Sequence, residues 1–233
     1  WSPLIWTTMA TGVSPRRHGI DAFQFILPDS GEKVPPISTL RRTKAVWNIL
    51  STKGRPVYVL NWWATWPAEP VTGLMVTDHF PEDPDSRDVY PSGKKEKLLR
   101  KTGPLGEKRF RKFISRYMTP EGAGPLELPD GPIHNIEFLR TCWEKDTRTM
   151  DLTLGLLKEN PAPDLFMLYL QGTDILAHYY FGYSYRGWRR PGWINDEKIN
   201  EELGKILPGY YRYCLLYTSP SPRDLSTSRM PSS

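Results

Sequence analysis

Apolar positions recur at two spacings along this chain, and the two alternate. Residues 2–11 (SPLIWTTMAT) mix apolar and hydroxyl side chains, with Pro3 suited to a first helical turn and Gly12 to a C-terminal cap. The stretch predicts a short helix with Ser2 at its N-cap. Within 43–53, Ala45, Val46, Ile49 and Leu50 share one helical face, and Gly54 closes the element. RPVYVLNWW predicts a buried strand at about 56–62, and GLMVT at 73–77 a short extended piece in an irregular, Pro-rich stretch over 64–92. A basic segment follows, in which Phe110, Phe113, Ile114 and Tyr117 return at helical period. Residues 119–132 carry four Pro and three Gly and predict a loop. Leu139, Trp143, Met150, Leu154 and Leu157 form the stripe of a long helix over about 134–159. DLFMLYL at 164–170 is a continuous apolar run after a Pro-Ala-Pro turn and predicts a central strand. Helices are expected over about 195–206 and again from near Tyr210.

Strands alternating with helices predict an α/β fold, a mostly parallel sheet between helix layers, with 64–135 as an inserted cap region. Composition agrees: 39% apolar with 24% charged residues excludes a disordered polyelectrolyte, and the 23 Pro and 18 Gly suit loops better than a helical bundle. No apolar run approaches the length of a membrane-spanning helix. Two cysteines, Cys142 and Cys214, cannot build a disulfide framework. The net charge of +5 is local, because residues 94–116 alone carry ten Lys/Arg and two Glu. That pattern reads as an amphipathic surface helix with a solvated basic face rather than a nucleic-acid interface. Residues 214–233 are Ser/Pro-rich and resemble read-through of sequencing-adapter DNA in translated environmental sequences. They are expected to be a non-native, disordered tail on an interior fragment, 1–213, of a catalytic domain. Compartment and oligomeric state stay open.

Two segments carry candidate chemistry. In QGTDILAHYYFGY, Asp174 and His178 are four residues apart and directly follow the predicted strand. Ligand sites in open α/β sheets lie at such strand ends, and a carboxylate and an imidazole on one helical turn or tight loop can share a divalent metal, zinc first by donor type. The N-terminal segment offers the hydroxyls Ser2, Thr7 and Thr8 at a helix start, where free amides and the helix dipole attract phosphate. A hydroxyl there, beside a metal, can become a nucleophile. Capping by Ser2 and packing of the threonines is the plainer alternative. Asp78-His79 reads as a loop cap or surface pair.

Together, Ser2-Pro3-Leu4-Ile5-Trp6-Thr7-Thr8-Met9-Ala10-Thr11-Gly12 with His18-Gly19-Ile20, and Pro163-Asp164-Leu165 through Asp174-Ile175-Leu176-Ala177-His178, resemble the type I phosphodiesterase/nucleotide pyrophosphatase family of the alkaline phosphatase superfamily. Residues 63–69 and 206–211 also look like prokaryotic members. The resemblance implies an alkaline-phosphatase-like sheet, two divalent metal ions, zinc by preference, and hydrolysis of a small phosphate ester through a Ser/Thr phospho-enzyme. Ser2, nine residues before Thr11, falls where the family has its nucleophile, with Thr7 as the runner-up. Asp174 and His178 fall at two ligands of one zinc, and His18 at a structural histidine closing the turn. Ile5 stands where nucleotide pyrophosphatases carry a phosphate-binding Asn. The family's other metal ligands lie outside these residues, so the 233-residue chain alone is expected to be inactive. A catalytically inactive binder of nucleotides or sugar phosphates is the alternative. The resemblance also places Ser2 and the Asp174/His178 pair at the same sheet edge.

Overall fold

Alternate residues of the first predicted strand face opposite sides, and the strand is the axis of the fold. The structure, a computed structural model, describes residues 2–27, 29, 31–102, 105–118, 136–159, 162–184 and 197–218. The chain divides into two units, Trp1–Gly103 with Asp151–Tyr169, and Pro104–Met150 with Leu170–Ser233.

In the first unit, strand β3 (Val57–Trp62) is flanked by parallel partners β4 (Gly73–Thr77) and β6 (Leu165–Leu168), and β5 (Val89–Tyr90) adds antiparallel to β4. The sheet order is β5-β4-β3-β6. Val57 and Val59 face a layer made by α1 (Ser2–Thr11) and α3 (Val46–Ser51), with Ala10 and Trp47 buried there. Tyr58 and Leu60 face the other side, against Leu98 of α4 (Lys95–Lys101) and against Leu152 and Leu156. Those two leucines belong to α6 (Ile136–Glu159), whose residues up to Met150 are in the second unit. The fold is therefore α/β with a mostly parallel sheet between helix layers, as the alternation predicts. A short helix α2 (Pro15–His18) and a two-residue hairpin, β1 (Phe25–Ile26) with β2 (Lys33–Val34), complete this unit.

The second unit is helical: α5 (Glu107–Tyr117), the first part of α6, α7 (Gln171–Ser184) and α8 (Glu197–Thr218). Its core joins Phe110, Phe113, Leu139, Trp143, Leu176, Tyr180, Ile206 and Tyr210.

Several expectations shift in detail. β6 lies at an edge of the sheet among the described residues, and its four residues are half-buried. An unbroken apolar run reports burial on both faces but not whether both edges are paired. Of the helical turn and the tight loop left open for Asp174 and His178, the structure shows the helix, 14 residues long. The break expected between 206 and Tyr210 is absent: α8 passes through Pro208, and Cys214 packs in the core while Leu215 is exposed. The basic segment is two helices, and its charges are partly paired: Lys95 with Asp88, Lys97 and Lys101 with Glu159, Arg111 with Glu107. The range 64–135 supplies β4, β5, α4 and α5. The predicted loop 119–132 and residues 219–233 of the predicted tail lie outside the described residues.

Candidate active site

Ser2 lies in the first turn of α1 and is half-exposed. Thr7 is buried one face round, and its Oγ1 has no hydrogen-bond partner. Thr8 Oγ1 is 3.0 Å from Nε2 of His18. The Ile20 amide donates to His18 Nδ1 at 3.1 Å, so Nδ1 carries the lone pair and Nε2–H donates to Thr8. His18 is 0% exposed. Burial holds its pKa below 6.5, and the Arg41 charge pushes the same way. With both nitrogens engaged inside the protein, His18 has no lone pair for a metal. It fastens the turn after α1 to the helix. Gly19 then closes α2 at φ 81°, where a side chain would press on Arg42. Of the three hydroxyls, only that of Ser2 is neither buried nor bonded to His18.

Four residues on a helix are one turn, so Asp174 and His178 lie on the same face of α7. Asp174 Oδ1 is 3.6 Å from His178 Nε2, and the side chains are 36% and 70% exposed. Two donors on one tetrahedral ion, each bonded at about 2.1 Å, are about 3.4 Å apart. The 3.6 Å separation of the pair is close to that spacing. Among the described residues, no group of three or more His, Cys, Asp or Glu is gathered as a metal site. Ser2 belongs to the first unit and the Asp174–His178 pair to the second.

Asp78 is a loop cap, as expected. It accepts from the Thr65 hydroxyl at 3.2 Å and the Ala64 amide at 3.3 Å, and ring stacking at 5.0 Å sets His79 against Trp66.

One charged group behind α7 escaped the sequence reading. Asp146 of α6 is 0% exposed, and its Oδ2 accepts from the Gly172 amide and the Tyr210 hydroxyl, each at 2.9 Å. Burial pushes this carboxyl up to about 7, while the Gly172 amide, the Tyr210 hydroxyl, Lys145 and the Gln171 amide pull it back. The signal was present: Asp146 falls in the apolar stripe between Trp143 and Met150, where an acidic residue has no reason to be unless it is bonded.

The family model described as Type I phosphodiesterase / nucleotide pyrophosphatase matches residues 2–206. That range takes in α1, the sheet, α7 and the pair on it. Neither a curated protein nor a solved structure matches the chain.

Proposed function

Because the chain belongs to the type I phosphodiesterase/nucleotide pyrophosphatase family, we propose that Ser2 is its nucleophile and that Asp174 and His178 bind one divalent metal ion. The family's chemistry is hydrolysis of phosphate esters, and it is generally metal-dependent. One observation carries the finer reading: a carboxylate and an imidazole, both solvent-accessible, stand 3.6 Å apart on one helix face. Zinc suits that donor set, and the resemblance adds a second ion.

Ser2 Oγ attacks phosphorus in line with the ester oxygen. The new P–O bond forms as the old one breaks, and the departing alcohol takes up a proton. Water then attacks the phosphoserine; the bond between Ser2 Oγ and phosphorus breaks, Ser2 regains its proton, and the phosphate product leaves. Amides in the first turn of α1 lack intrahelical acceptors and donate to the phosphoryl oxygens. Ile5 is exposed and offers no polar atom, so those amides take the contact that an Asn makes in nucleotide pyrophosphatases. Asp174 and His178 would hold a divalent ion, and the chemistry such an ion would supply is Lewis-acid stabilisation of developing negative charge. The two donors alone leave an ion weakly held, and the 233-residue chain by itself is expected to turn over at background.

The test is hydrolysis of p-nitrophenyl phosphate and bis-p-nitrophenyl phosphate by a protein that contains this chain together with a full set of metal ligands. Ser2→Ala is expected to lower kcat by about a thousandfold or more, and acid quench of the unaltered protein is expected to trap phosphate on Ser2. Full activity in Ser2→Ala, with loss in Thr7→Val, would move the nucleophile to Thr7.

A further inference from the structure

Three helices of the second unit meet at one buried carboxyl. Asp146 comes from α6, the Gly172 amide from the first turn of α7, and the Tyr210 hydroxyl from α8. The hydroxyl also lies 2.9 Å from the Cys142 carbonyl oxygen. One proton serves two acceptors, which pins the Tyr210 ring between them. Asp146 Oδ1 is buried without a hydrogen-bond partner. A carboxyl kept in a core at the cost of desolvation, with amides of the first turn of α7 donating to it, calls for a reason that an apolar residue in the same stripe would not supply. Gly172 gives one. A Cβ there would overlap both the Tyr210 oxygen and Asp146 Oδ2, so glycine lets the α7 backbone come down onto the carboxyl. Asp174 stands in that same first turn.

We propose that Asp146 is a positioning residue: through the Gly172 amide it fixes the first turn of α7, and with it the direction in which Asp174 and His178 present their donor atoms. The proposal rests on the metal reading for its chemical purpose, but the anchor itself does not need a metal. Its raised carboxyl pKa is consistent with a group held for its hydrogen bonds rather than for an ion pair.

The test compares Asp146→Ala, Asp146→Asn and Tyr210→Phe with the unaltered chain, after circular dichroism has shown each to be folded. One readout is amide hydrogen exchange over residues 172–175; the other is Co²⁺ binding followed by its visible spectrum. Asp146→Ala is expected to exchange at least about tenfold faster in that turn and to bind Co²⁺ about tenfold more weakly, the weight of a lost buried hydrogen bond. Asp146→Asn retains an acceptor for the Gly172 amide and should stay within about threefold of the unaltered chain on both readouts. A folded Asp146→Ala with unchanged exchange and Co²⁺ binding overturns the proposal. So does an Asp146→Asn that loses as much as the alanine variant. Should Asp146→Ala not fold, Tyr210→Phe decides: about threefold faster exchange supports the anchor, and no change overturns it. If the unaltered chain takes up no Co²⁺, the metal reading fails for this chain, and the exchange arm still decides on the anchor alone.

Discussion

His18 and His178 both stand in motifs that could carry chemistry, and their surroundings could hardly differ more. His18 is sealed in the turn after α1, with Nδ1 taken by the Ile20 amide and Nε2 given to Thr8. His178 is 70% exposed on α7, and its Nε2 stands 3.6 Å from Asp174 Oδ1, too far for a hydrogen bond. A histidine whose nitrogens are both engaged by its own chain is part of the scaffold. One whose nitrogen faces solvent beside a carboxylate is available to a ligand. Residue type makes both candidates; the bonding of each ring nitrogen separates them.

The largest effect that tests this contrast is on stability. His18→Ala removes a buried ring, two hydrogen bonds and their partners' satisfaction, and is expected to cost about 3 kcal/mol. His178→Ala, on an exposed face, should stay within about 0.5 kcal/mol. Urea unfolding of both variants checks this, and equal losses would break the contrast.

A smaller effect sets the first unit against the anchor behind α7. His18 has its folded pKa below the ordinary 6.5, so on acidification the unfolded chain takes up a proton first. Its contribution is complete above 6.5 and falls as the pH drops below that, by at most about 1.4 kcal/mol per pH unit. Asp146 works the other way. Its carboxyl titrates at about 7 in the fold against an ordinary 3.8, so stability is lost as the pH rises between those values. A shift of about three units bounds that loss at about 4 kcal/mol, and relaxation around the charge should reduce it to about 2. Relative to the unaltered chain, Asp146→Asn should therefore gain stability from pH 4.5 to 7.5, and His18→Gln should gain it from pH 7 to 5.5. Flat differences in both variants would contradict the assignment.

Much of this was legible in the sequence, and what was not has a physical cause. GLMVT marked β4 to the residue, and the apolar face over 134–159 marked α6, because periodicity records which side chains avoid water. The same record located the Asp174–His178 pair after a strand and gave its spacing. It could not tell that α8 runs through Pro208, since the packing of Ile206, Leu207 and Tyr210 holds a helix that a proline would otherwise interrupt. Nor could it find the Asp146–Gly172–Tyr210 junction, whose members are far apart in sequence and meet only when three helices pack. The asymmetry between His18 and His178 is of that kind too: its evidence lies in the Thr8 hydroxyl and the Ile20 amide, which sequence alone does not bring to the ring.

The most direct measurement of the central claim is anomalous X-ray scattering from crystals of the chain soaked in zinc. The account expects a peak bonded to the Asp174 carboxylate and to His178 Nε2 at about 2.0–2.2 Å, and that peak should vanish in Asp174→Asn. A peak on His18 or His79 instead, or a bare Asp174–His178 pair in crystals that bind zinc elsewhere, would contradict it.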